Sequence, residues 1–381
     1  MFVTFVLGLL ASIGLAFAPM PFVWIPLLWS GLFIHRAVVA ERRATKLACT
    51  NAAGILLVFA LAEGISLLRP GLELSGSLTE GYFRGHESLG YAPVAENRAT
   101  ATRSFGGEVL YDVVYSIDQN GLRIPPPVAP DAGGECLLFF GGSFTFGEGV
   151  NDDEAMPYRV GVKTGGRFRV YNFAFHGYGA HQMLAALEDE LVAATVDCVP
   201  RQVVYLAHPD HAVRAAGFAS WDTHGPRYLR DSGGGVAYAG HFDDGLAFYG
   251  RGFLTVLNQS KLLATLLSLR QPDPEATEKL FVAIIAAARE HVETRHAGAE
   301  FHVILWGNAD SALSQQLASA GLRLHPIDRI VSEEERADPR YTIPRDGHPT
   351  ALLHERVAAY VAREIVGTPA VKADAAAGGE P

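Results

Sequence analysis

The chain has 381 residues, 49% hydrophobic and 19% charged, against roughly 25% charged in an average soluble domain. Length and composition exclude a disordered, collagenous or coiled-coil chain and suit about two folding units. The net charge of −10 supplies no basic field for phosphates, so no nucleic-acid partner is expected.

The apolar surplus lies at the start. Met1 to Phe33 carries no charged side chain, and Pro19-Met20-Pro21 divides it into two expected helices, about 2–18 and 22–38. A further apolar run, Leu47 to Leu68, is long enough for a third crossing, giving a membrane anchor over residues 1–69. Between these runs Arg36, Arg42, Arg43 and Lys46 outnumber Glu41, which keeps that connection cytoplasmic and places everything after about residue 70 on the outer side. A cleaved signal peptide fits less well, because no basic region precedes the apolar stretch and a second apolar run follows.

Residues 70–130 are turn-rich, with strand-like alternation over Val109–Ile117 and a tight turn at Asp118-Gln119-Asn120-Gly121. A proline-rich link, Pro125–Gly134, follows this β-rich lead-in. From 131 to 369 short apolar runs alternate with helical patterns, as a parallel α/β sheet requires. The expected strands are 136–140, 168–173, 202–207, 301–306 and 322–327. The expected helices are 153–164, 181–195, 253–269, 275–296, 310–320 and 350–366, with an insertion at about 212–252. The tail, 370–381, has a disordered composition.

In open parallel sheets chemistry gathers at the carboxyl ends of the strands. After the first comes Gly141-Gly142-Ser143-Phe144-Thr145-Phe146-Gly147; the glycines allow a sharp turn that presents Ser143 at a helix start. After the second comes His176-Gly177-Tyr178-Gly179, where a glycine can turn its N–H toward a neighbouring loop as an oxyanion donor. After the fifth comes Arg345-Asp346-Gly347-His348-Pro349. The i, i+2 spacing sets Asp346 beside His348, able to hold its tautomer while the other ring nitrogen acts as base. Each segment alone also reads as an ordinary turn; their joint order gives them weight.

Segment 135–366 resembles the SGNH/GDSL hydrolase family, membrane-anchored bacterial type. The resemblance implies a flavodoxin-like, doubly wound parallel five-stranded sheet. It makes Ser143 the nucleophile, Ser143 and Gly177 the oxyanion N–H donors, His348 the base and Asp346 its orienter. Two positions depart from the pattern. Gly142 replaces the first-block Asp, and the third block, Leu206-Ala207-His208-Pro209-Asp210-His211, lacks its Asn. His208 or His211 can stand in as donor or substrate contact, or the hole has backbone donors alone.

The expected activity is ester hydrolysis through an acyl-enzyme on Ser143, acting on envelope carbohydrate or lipid, with no metal or cofactor. Transfer of the acyl group to a sugar hydroxyl, and a non-catalytic carbohydrate-binding module, are the alternatives. In the insertion, Trp221, His224, Arg227, Tyr228 and Arg230 either bind a sugar or anion or pack the loop on itself. Cys136 and Cys198 precede strands that should be neighbours, so they form either a disulfide or two buried thiols.

Overall fold

The structure, a computed structural model, describes residues 6, 8–12, 22–68, 74–245, 260, 263 and 273–367. The chain divides into two compact units, Met1–Glu73 with Asp243–Gln271 and Leu74–Phe242 with Pro272–Pro381.

In the first unit α1 (Trp24–Val39) packs against α2 (Arg43–Leu68), and Ser30 Oγ donates to the Ala53 carbonyl at 3.1 Å. Among the described residues one helix, Arg43–Ile65 within α2, is long and apolar enough to cross a bilayer; α1 is apolar but shorter. Leu47, Ile55, Val58 and Leu61 of α2 are exposed. Residues 6 and 8–12 are helical. The rest of the expected 2–18 helix and the Pro19–Pro21 turn lie outside the described residues. So do the 370–381 tail and, apart from Ser260 and Leu263, the expected 253–269 helix.

The second unit opens with five short strands: β1 (Leu74–Leu78), β2 (Phe83–His86), β3 (Gly90–Pro93), β4 (Arg98–Phe105) and β5 (Glu108–Ser116). They form an antiparallel β1-β4-β5 sheet and a β2-β3 hairpin. The main sheet is built from β6 (Glu135–Phe140), β7 (Arg169–Asn172), β8 (Val199–Ala207), β11 (Glu300–Leu305) and β12 (Arg323–Pro326). All its pairings are parallel, in the order β7-β6-β8-β11-β12. Five strands were expected, and each falls on its segment. The antiparallel pair β9 (Pro226–Arg230) and β10 (Val236–His241) occupies the insertion.

Both faces of the main sheet are covered, which explains why β6 reads as an unbroken apolar run. Successive side chains point to opposite faces. Leu138 and Phe140 join the cluster containing Met183 and Leu184 of α5 (Ala180–Glu188) and Phe281, Ile284 and Ile285 of α8 (Pro274–Arg295). Leu137 and Phe139 join Val160 of α4 (Met156–Lys163) and Leu353 and Val357 of α11 (Ala351–Tyr360) on the other. Short α3 (Ser143–Phe146), α6 (Leu191–Thr195), α7 (Asp210–Ala215), α9 (Ala312–Ser319) and α10 (Glu333–Ala337) complete the unit.

The 74–130 strands belong to the same compact unit as the main sheet, so Pro125–Gly134 links parts of one unit. Tyr82, Ala99, Val113 and Tyr115 are buried in the cluster that contains Leu138 and Phe140. The strongest tie is Arg123, 2% exposed. Its Nε meets Asp152 Oδ1 at 3.0 Å, Nη1 donates to the carbonyls of Phe146 and Gly147, and Nη2 donates to that of Val150, each at 2.7 Å. Cys136 and Cys198 form a disulfide; Cys49 is free.

Two tests follow from this packing. Removing the buried charge strands three carbonyls and Asp152, so Arg123→Ala lowers the unfolding free energy in chemical denaturation by about 3–5 kcal/mol; a loss under ~1 kcal/mol contradicts the packing described. Under denaturing conditions maleimide labels Cys49 alone before reduction and all three cysteines afterwards.

Candidate active site

Ser143 begins α3 immediately beyond β6. Thr145 and Phe146 donate their N–H groups to the Gly142 carbonyl, and Gly147 and Glu148 donate theirs to the Ser143 carbonyl at 2.9 Å. Arg123 holds the carbonyls at the far end of this turn, where the helix dipole is negative. Gly147 sits at φ +91°, and a Cβ there would collide with Arg123 Nη1 and Ala155, so glycine is required.

The 341–350 loop is closed by a bridge between Thr342 and Pro349 and by the Ile343 N–H donating to the His348 carbonyl at 2.8 Å. This brings together the three residues singled out in the sequence. Asp346 Oδ1 lies 2.5 Å from His348 Nδ1, and His348 Nε2 lies 2.8 Å from Ser143 Oγ. With the carboxylate as acceptor, Nδ1 carries the proton and Nε2 offers its lone pair to the serine hydroxyl. Among the described residues the backbone N–H groups of Ser143 and Gly177 donate to no protein acceptor. Gly177, at φ +73°, has no room for a Cβ beneath Trp221 Nε1 and Tyr91 Oη.

Two charged residues that the sequence reading missed, Arg103 and Glu148, lie close to the histidine and to its Asp346 partner. Arg103 on β4 places Nε 3.3 Å from Asp346 Oδ2. Glu148 places Oε2 3.7 Å from His348 Nε2 and 2.7 Å from His176 Nδ1. Burial opposes charge on His348, but the Asp346 hydrogen bond and the Glu148 and Asp346 charges outweigh it, raising the imidazole above its ordinary 6.5. Burial also pushes the Glu148 carboxyl up, yet His176, His348 and Arg103 together bring it down to about 2. Glu148 is therefore an acceptor, and His176 Nδ1 carries the proton it receives. Its only local signal was its place between two glycines just beyond Ser143.

The third-block histidines differ. His208 packs its ring 5.1 Å from that of Phe144, whose ring also lies 5.1 Å from the ring of His348; burial lowers its pKa. His211 is buried, with Nδ1 2.6 Å from the Tyr205 hydroxyl, and burial holds it neutral. A Cβ built on Gly142 would meet His211 Nε2, Arg214 Nη1 and the Tyr178 carbonyl, so the space of a first-block side chain is already filled.

The insertion is clamped by Asp222, whose Oδ2 lies 2.7 Å from both His181 Nε2 and Gln182 Nε2, all buried. This holds the neighbouring Trp221, 56% exposed, with Nε1 donating to the Gly177 carbonyl at 3.4 Å and its ring under Arg214. Of the other insertion residues, Tyr228 donates to Glu188 and Arg227 donates to the Ala239 carbonyl, so both pack on the protein itself, whereas His224 and Arg230 are exposed.

No protein-family model matches the chain, and no curated protein sequence matches it. Among solved structures it is similar to a carbohydrate esterase, over 63% of this chain and 67% of that one, at 12% identity and TM-score 0.35. It is also similar to the acetyl xylan esterase Est2A from the rumen bacterium Butyrivibrio proteoclasticus, over 63% of this chain and 65% of that one, at 12% identity and TM-score 0.36.

The charges around His348 make a titration test. Its ring proton resonance titrates above pH 6.5, and Asp346→Asn and Glu148→Gln each lower the midpoint. Because the folded value is raised, its contribution to stability is present in full below about pH 6.5 and is lost as pH rises through the folded value. A midpoint at or below 6.5 in the unsubstituted chain contradicts the arrangement.

Proposed function

We propose that the chain is a membrane-anchored serine esterase of the SGNH/GDSL type, acting outside the cytoplasmic membrane on O-acyl esters of an envelope carbohydrate or lipid. The observation that carries this reading is the continuous relay from Asp346 through His348 to Ser143, with N–H groups on Ser143 and Gly177 that meet no acceptor among the described residues. The five-stranded sheet with helices on both faces suits the doubly wound expectation. The apolar outer face of α2 suits a membrane anchor, and the Cys136–Cys198 disulfide suits an oxidising compartment. The exposed Trp221 indole beside Gly177 offers the flat apolar face on which a sugar ring packs.

In the reaction Ser143 Oγ attacks the ester carbonyl while His348 Nε2 takes its proton. The oxyanion faces the Ser143 and Gly177 N–H groups. His348 then protonates the departing alkoxide, leaving an acyl group on Ser143, which water releases. His208, at the rim beside Phe144, is the histidine of the third block in position to contact substrate. The relay favours turnover over a binding module.

A fluorophosphonate probe applied to the full chain in detergent labels Ser143, read by peptide mass spectrometry. Ser143→Ala abolishes the adduct, and His348→Ala slows it by on the order of 10³-fold or more. A folded chain that takes no label returns the assignment to the binding module.

A further inference from the structure

Glu148 is a second carboxylate at the serine–histidine pair, and the relay from Asp346 does not use it. Its backbone N–H is tied to the Ser143 carbonyl at 2.9 Å. Oε2 takes the His176 Nδ1 proton at 2.7 Å, the Tyr111 hydroxyl reaches Oε1 at 3.5 Å, and a fifth of the side chain remains open to solvent. Oε2 lies 3.7 Å from His348 Nε2, the atom that must collect a proton from whatever attacks the acyl-enzyme.

Once Ser143 carries the acyl group, its hydroxyl proton is gone and Nε2 has a free lone pair. Two acceptors 3.7 Å apart then face the site, and a molecule ~2.8 Å from each can satisfy both only if it brings two hydrogens. Water does. An alcohol brings one, which it must give to His348, so its oxygen lone pairs would confront the Glu148 carboxylate.

We propose that Glu148 positions the water that hydrolyses the acyl-enzyme and thereby directs the acyl group to water rather than to alcohols. The inference rests on the esterase reading above. In the step the water oxygen bonds to the acyl carbon and one of its hydrogens passes to His348 Nε2. The other hydrogen stays on that oxygen, donated to Glu148. As the tetrahedral intermediate collapses, the bond from carbon to Ser143 Oγ breaks and His348 returns its proton to that oxygen. The product is the free acid, which ionises in solution.

The test uses the full chain in detergent with p-nitrophenyl acetate, in the presence and absence of methanol. Glu148→Gln keeps the volume and Glu148→Asp keeps the charge but withdraws the oxygens. Both variants still release the first equivalent of p-nitrophenol as a burst, slowed far less than the turnover that follows it. Steady turnover then falls on the order of 10²-fold, the cost of a misplaced reactant, and the ratio of methyl acetate to acetate rises several-fold. That ratio separates positioning of water from a general loss of structure, and stoichiometric fluorophosphonate labelling of Ser143 verifies folding. Unchanged turnover and product ratio in both variants overturn the proposal, as does loss of the first-equivalent burst in folded variants, which would place Glu148 before the acyl-enzyme. An unsubstituted chain that releases no p-nitrophenol at all removes the esterase reading, and this proposal with it.

Discussion

The buried guanidinium of Arg123 is the constraint on which the site depends. A desolvated cation is costly unless its donors are met, and here Asp152 and the carbonyls of Phe146, Gly147 and Val150 meet them. Those acceptors belong to one short stretch, the turn that leaves Ser143 and carries Glu148. The cation lies over the rings of Tyr115 and Phe146 as well. One side chain from the end of the β-rich segment thus fixes both the pitch of the helical turn at Ser143 and the path of the loop beyond it.

Once that turn is fixed, the electrostatics of His348 become a balance among charges from three parts of the chain. Asp346 comes from the loop before α11, Glu148 from the turn after Ser143 and Arg103 from β4. Arg103 opposes the raised imidazole and Glu148 supports it. The strands before the main sheet therefore shape the charge around His348 as well as the packing.

Ser143, Gly177, Asp346 and His348 were legible because each announces itself locally: a glycine-flanked residue after an apolar run, or an i, i+2 carboxylate and imidazole. The central strands β6, β8 and β11 were legible because burial on both faces makes most of each an unbroken apolar run, and the edge strands β7 and β12 are short and only partly buried. Arg103, Arg123 and Glu148 were not, since an arginine on an antiparallel strand or an acid in a glycine-rich turn looks like surface until the partner arrives from elsewhere. Asp346 lies far along the chain from Arg103, and nothing in either segment names the other. His208 and His211 show the same limit: three residues apart, one stands at the rim and the other is buried beside Tyr205.

The Cys136–Cys198 bond closes a loop with a sequence separation of 62, and within that loop lie Ser143, Glu148, His176 and Gly177. In the chain-entropy view a ring of that size contributes about 4 kcal/mol. Its more particular consequence is covalent. A protease that cuts the loop once leaves Ser143 and Gly177 tethered to the rest of the chain, so a nicked molecule migrates as one species until a reductant separates the pieces. Asp346 and His348 lie outside the ring and have no such tether.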